Sequence, residues 1–165
     1  GEVLGIDKSL KMAIYKGLLE AGVDIPEKGT IVATIADRDK EEAIPLLVEL
    51  GKMGFKLIAT EGTAAALRKN GIEVATVKKM TEGSPNIVDL IREGRVDFIV
   101  NTLTHGRMPF TDGFQIRRVA VELNVPCLTS LDTLWVVKNV IQEGKNLAAL
   151  EVRSLQEYVA MNKLE

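Results

Sequence analysis

A chain of 165 residues, 46% hydrophobic and 27% charged with only 5 prolines, fits one ordinary globular domain and excludes a disordered or repetitive protein. Its net charge of −2, with basic and acidic residues interspersed, gives no chain-wide pull toward nucleic acid or anionic lipid, so any anion must be held by a local site. No apolar run approaches the roughly 18 residues of a membrane span, no signal-peptide pattern is read, and a lone cysteine excludes an internal disulfide; a cytoplasmic protein is the default expectation.

In chain order, Leu10, Ala13, Ile14, Leu18 and Ala21 recur at helical spacing after Ser9, with Gly22 placed for a left-handed C-terminal residue. Thr30 to Ala36 reads as a buried strand, followed by the polar turn Asp37-Arg38-Asp39-Lys40 and a helix turning Ala43, Leu46, Leu47 and Leu50 inward. Pro45 removes a backbone donor there, so that helix is expected to start late or to bend near its first turn. A strand from Phe55 to Thr60, a turn, a helix from Thr63 to Asn70 stopped by Gly71, and a strand from Glu73 to Val77 come next. A short helix capped by Ser84 or Asn86 ends at Gly94, and Asp97 to Val100 forms a fourth strand. After a loop, Asp112-Gly113-Phe114-Gln115 has capping-box form and opens a helix carrying Ile116, Ala120 and Leu123. Pro126 to Leu128 is the fifth strand, in which Cys127 is expected to be buried. A helix over Leu131 to Glu143 follows, and the tail from Leu147 to Glu165 is amphipathic.

Short apolar strands alternating with helices of about ten residues predict an α/β fold: a doubly wound, Rossmann-like, five-stranded parallel sheet flanked by helices, joined by right-handed crossovers. Ligands on such sheets sit outside the carboxyl ends of the strands, which directs attention to the strand-to-helix turns.

Of these turns, Thr60-Glu61-Gly62-Thr63 has the parts of a phosphate cradle. Gly62 admits close backbone approach, the two hydroxyls donate to phosphate oxygens, and the following helix adds its first amides and the positive end of its dipole. Lys40 and Lys79 lie past other strands at the same rim and supply point charges for a dianion. Each part also has an ordinary explanation, with Thr63 as an N-cap, Gly62 as a tight turn and the lysines as solvated charges. The segment Asn101-Thr102-Leu103-Thr104-His105-Gly106-Arg107 mixes amide, hydroxyl, imidazole and guanidinium groups, which suits a ribose or base. His105 is the sole histidine, so neither a nucleophilic relay nor a metal cluster is built around it, and no metal site is expected. Asp37, Asp39, Glu41 and Glu42 read as helix-start charges that complement the macrodipole.

Taken together, Asp39-Lys40, Gly54-Phe55, Ala59-Thr60-Glu61-Gly62-Thr63-Ala64, Lys79 with Glu82-Gly83, Asn101-Thr102, Asp112 with Ile116-Arg117-Arg118, and Thr129-Ser130-Leu131-Asp132 form a specific pattern. Through them the chain resembles the C-terminal allosteric domain of the carbamoyl phosphate synthetase large subunit, within the methylglyoxal-synthase-like fold group. The resemblance spans nearly the whole chain and implies a division into residues 1–23, a linker and leading helix from a preceding synthetase domain, and residues 24–165, the allosteric domain. The opening Gly1-Glu2-Val3-Leu4-Gly5 matches the junction between them, in keeping with a piece of a longer protein. The implied function is binding of a nucleotide that tunes carbamoyl phosphate synthesis for pyrimidine and arginine biosynthesis, without catalysis by this fragment. The implied parent is an ATP-dependent, glutamine-hydrolysing ligase using Mg or Mn, with no cofactor in this fragment.

By position, the resemblance places the effector phosphate on Lys40, Thr60, Gly62, Thr63 and Lys79 with Thr34 nearby, and the nucleoside on Asn101, Thr102, Asp112, Gln115 and Ile116. It also assigns Thr129 to a second, ornithine-type effector, although Cys127-Leu128 depart from the more polar pattern of some relatives. The Thr111-to-Arg118 and Cys127-to-Thr133 stretches look closer to pyrimidine-regulated members, which favours UMP over IMP, with phosphoribosyl pyrophosphate also open. Implied partners are the rest of the large subunit and the glutaminase small subunit, with homo-oligomerisation left open and neither nucleic acid nor membrane expected. The competing reading is a methylglyoxal-synthase-type lyase that eliminates phosphate from dihydroxyacetone phosphate. Against it, Glu82-Gly83-Ser84-Pro85 replaces the Gly-Gly-Asp turn that supplies one acid, and Thr102 replaces the second.

Overall fold

A computed structural model describes residues 2–24, 26–102, 112–144 and 150–161. The strands are β1 (Thr30–Thr34), β2 (Lys56–Ala59), β3 (Val74–Thr76), β4 (Phe98–Asn101) and β5 (Cys127–Leu128), all pairing in parallel in the order β3-β2-β1-β4-β5. The helices are α1 (Leu10–Glu20), α2 (Lys40–Lys52), α3 (Glu61–Lys69), α4 (Ile87–Arg92), α5 (Asp112–Glu122), α6 (Leu131–Gln142) and α7 (Leu155–Met161).

Alternation along each strand divides the core. Ile31 and Ala33 of β1 face α2, α3 and α6 through Ala43, Leu47, Leu50, Leu67, Leu134 and Val137. Val32 faces the other way, onto Ile87, Val88 and Ile91 of α4 and Ile116, Val119 and Ala120 of α5. The chain steps outward from β1 to β3 with α2 and α3 on one face, then turns back to β4 and β5 with α4 and α5 on the other. That change of face is what a constant crossover hand requires when direction reverses. Phe98, fully buried at the centre, meets Phe55 edge to face at 5.8 Å.

Several local expectations are corrected. α2 starts at Lys40 and runs through Pro45, so there is no late start. The carbonyl that loses its partner is that of exposed Glu41, on the solvent side where water can satisfy it. Ile44 is buried in that helix, whereas Leu46 packs only at the margin of the core. Leu123, expected inward on α5, is 47% exposed because it lies beyond the helix end, and Val119 takes the buried position. Cys127 is partly rather than fully buried. Of the two sequence candidates Asn86 caps α4, its Oδ1 accepting from the amides of Val88 at 3.0 Å and Asp89 at 3.3 Å, while Ser84 caps nothing and donates its Oγ to Asp89 Oδ2 at 2.7 Å. Gly22, Gly71 and Gly94 each take the left-handed conformation that closes a helix. Among the described residues, no helix is long and apolar enough to cross a membrane.

The reversal of strand order falls between β1 and β4. Their carboxyl ends, Thr34 to Ala36 and Asn101 to Thr102, therefore flank the crevice where ligands collect in folds of this kind.

Candidate functional site

Two threonine hydroxyls pin the loop that leaves β1. Thr63 Oγ1 accepts from the Ile35 amide at 3.2 Å, and Thr102 Oγ1 accepts from the Ala36 amide at 2.8 Å. Thr102 also donates its own amide to the Thr34 carbonyl at 3.2 Å. The loop is thus held from the α3 side and from the β4 side, which fixes where the next charges fall.

Those charges lie on a 3₁₀ turn over Asp37–Asp39, directly before α2. Asp37 Oδ1 receives the Lys40 ammonium at 2.6 Å. The Lys40 bond and charge, with a further pull from Lys79, hold the Asp37 carboxyl below its ordinary range. Lys79, separated from it in sequence by α2, β2, α3 and β3, therefore acts electrically on the same carboxylate.

The Lys40 ammonium also lies over the amino end of α3: a Cβ built on Gly62 would stand 3.0 Å from Lys40 Nζ. α3 begins two residues earlier than the sequence suggests, with Thr60 at the N-cap position, so the expected turn is the first turn of the helix. Thr63 is consequently not an N-cap. The amides of Thr63 and Ala64 turn back to the Thr60 carbonyl, leaving those of Glu61 and Gly62 without partners inside the helix. Lys40 thus meets Gly62, and Lys79 acts on the Asp37 carboxylate that holds Lys40, whereas Thr63, 1% exposed with its hydroxyl bonded to the Ile35 amide, and Thr60 are buried.

The nucleoside candidates are less alike. Asn101, 3% exposed at the end of β4, accepts on Oδ1 from Arg117 Nη1 at 2.7 Å. Asp112 does not close a capping box: its Oδ2 accepts from the Met80 amide at 3.1 Å, tying α5 to the segment after Lys79. Gln115 is exposed. Ile116 is 1% exposed and belongs to the core under α5, so the structure gives it a packing role. The loop residues Thr104, His105, Gly106 and Arg107 lie outside the described residues, as do Gly1 and much of the tail read from Leu147 to Glu165.

A second feature was not foreseen as a whole. A cleft of about 380 Å³ opens beside Thr102 and Thr129, bordered by the carboxylates of Asp39, Glu42 and Asp132 and by Arg38. Arg38 Nε bonds Asp39 Oδ1 at 3.2 Å. Among the described residues no three potential ligands are grouped to hold a metal, and the carboxylates give the cleft an acidic character. The nearby Cys127 thiol is pushed up to about 11 by burial, partly offset by Arg117, and stays protonated at neutral pH.

The parallel sheet and its loaded rim define an MGS-like domain. The family model of that description matches residues 42–129, more than half of the chain, and this protein belongs to that family. Among solved structures, methylglyoxal synthase from Elizabethkingia anophelis NUHP1 is similar, with a TM-score of 0.58 and 20% identity over 82% of this chain and 92% of that one. The structure described as ForH is also similar, at 22% identity over 76% and 83% of the two chains, with a TM-score of 0.48. At 20% identity the likeness to that methylglyoxal synthase establishes the fold alone.

Proposed function

We propose that this chain is the regulatory domain of a carbamoyl phosphate synthase large chain, binding a nucleotide effector, UMP in preference to IMP, and performing no chemistry itself. The observation that carries the reading is the Lys40 ammonium poised over Gly62 at the start of α3, with Lys79 acting on the same carboxylate. Two cations and two unpaired helix amides suit the dianion of a phosphate monoester. Glu82, standing where the lyase pattern has an acid, uses Oε2 to accept from the Lys79 amide at 2.9 Å, a structural duty.

On this reading the domain docks against the rest of a cytoplasmic, ATP-dependent and glutamine-hydrolysing enzyme, which also contains the glutaminase small subunit. The effector biases that docking with a coupling of about 1 to 3 kcal/mol. The acidic cleft at Thr129 supports a second effector carrying an amine. Calorimetric titration with UMP, IMP and phosphoribosyl pyrophosphate tests the ligand. In the full enzyme, Lys79→Ala abolishes sensitivity to UMP while unregulated activity stays near normal; a full response in that variant refutes the site.

Asp37 supports a second reading. A carboxylate held ionised at the mouth of a phosphate cradle is the group that a phosphate-eliminating lyase needs as its base. Methylglyoxal released from dihydroxyacetone phosphate by the purified protein, and lost in Asp37→Asn, would establish that activity in place of the regulatory one.

A further inference from the structure

Two segments far apart in sequence meet on one ammonium carried by α1. Lys16 Nζ lies 2.7 Å from Asp7 Oδ2 and donates to the Glu151 carbonyl at 2.6 Å and to the Tyr158 hydroxyl at 3.2 Å, with the Ile6 carbonyl at 3.3 Å. An ammonium has three N–H donors, so Lys16 is fully engaged between the arm before α1 and the tail that bears α7. The side chains of Lys16 and Asp7 are only 19% and 18% exposed, which spares the pair much of the screening felt by surface pairs. Neither segment has much else to hold it. α7 is 7 residues long and buries none of them, too short to persist as an isolated helix. The bonds of Arg153 and Ser154 stay within the tail, and among the described residues the bonds that leave it end on Lys16. Leu150 adds an apolar contact with the cluster of Tyr15, Val136 and Val140 at the seam of α1 and α6. The arm crosses α1 where Gly5 lets two backbones touch: a Cβ there would collide with the Ala13 carbonyl oxygen and stand 2.8 Å from the Gly17 nitrogen.

We propose that Lys16 is a latch that joins the arm (residues 2–8) and the tail (residues 150–161) into one strap over the α1–α6 seam, so that the two dock and release together. A movement imposed on one segment is then felt at the other, 135 residues away in sequence for Glu151 and 142 for Tyr158. Release withdraws Leu150 from Tyr15, Val136 and Val140 and bares that apolar seam. The inference goes beyond the nucleotide reading, and its test uses no ligand.

Limited trypsin digestion of the whole chain tests it, with cleavage rates read by mass spectrometry at Lys8 in the arm, at Arg153 in the tail and at Lys56 in β2 as the control for global opening. Cleavage of a folded protein follows the population of its locally open form. Lys16→Met keeps the aliphatic stem and removes the ammonium; cleavage at Lys8 and at Arg153 both accelerate roughly tenfold or more, the scale of a lost charge-assisted hydrogen bond, while Lys56 keeps its rate. The decisive variants disturb one segment and are read at the other. Gly5→Ala lifts the arm and accelerates cleavage at Arg153. Tyr158→Phe removes a neutral acceptor from the tail and accelerates cleavage at Lys8 by a smaller factor. Acceleration confined to the mutated segment overturns the proposal, as do unchanged rates in Lys16→Met. Should Gly5→Ala also accelerate cleavage at Lys56, the whole domain has been weakened, and Asp7→Asn takes its place with the same two outcomes.

Discussion

The cradle at the start of α3 and the cleft beside Thr129 occupy one rim of one sheet, yet they carry opposite charge. Lys40 and Lys79 dominate the first; Asp39, Glu42 and Asp132 outnumber Arg38 in the second. A single short turn divides them. With about three residues per turn, a 3₁₀ segment places positions 37 and 40 on the same side, so Asp37 and Lys40 face the cradle together while Arg38 and Asp39 border the cleft. Strand order supplies the place for a ligand, and the charges on one turn decide which kind each half attracts.

The largest effect that sharpens this contrast is expected from the two pinning threonines. Thr63→Val leaves the buried Ile35 amide without its acceptor and lowers unfolding free energy by about 1 to 3 kcal/mol. Thr102→Val releases the half-buried Ala36 amide, which water can partly satisfy, and costs less. Denaturant titration of both variants checks the order; equal losses would mean that the loop is not held more firmly from the cradle side.

Asp37→Asn comes next, and it acts on binding. With the internal carboxylate neutralised, Lys40 is free for the incoming phosphate, and UMP binds roughly two- to fivefold tighter, an effect that fades with salt. The pH dependence has a definite sign. Because the folded pKa of Asp37 is depressed, its contribution to stability is present above the unfolded value and is lost only as pH falls through the lower folded one. Asp37 therefore stays ionised between pH 5 and pH 7. Affinity for UMP rises over that range because the phosphate gains its second charge near pH 6, and the slope is the same in Asp37→Asn. A slope that vanished in the variant would locate the titrating group on the protein.

Gly62→Ala is the smallest perturbation. Its backbone is not left-handed, so alanine stabilises the helix start by at most about 0.4 to 1 kcal/mol. The added methyl intrudes on Lys40 and weakens phosphate binding roughly threefold, the order expected of a displaced surface charge. Unchanged phosphate affinity would reduce Gly62 to an ordinary helical residue and the cradle to a lysine cluster.

Much of the fold was legible in local patterns. The β-branched runs at Thr30 and Phe98, the glycines at 22, 71 and 94, and the Asn86 cap follow from rotamer, backbone and hydrogen-bond preferences that act within a few residues. Their alternation determined a parallel sheet with a loaded carboxyl rim, and Lys40, Thr60, Thr63 and Lys79 could be nominated from it. What the tertiary structure alone decided are the pairings across elements: Thr63 with Ile35, Asp112 with Met80, Arg117 with Asn101, and the burial of Ile116. These depend on which face a helix turns to the sheet and how closely it approaches, quantities set by packing over long sequence separations, which no local spacing encodes.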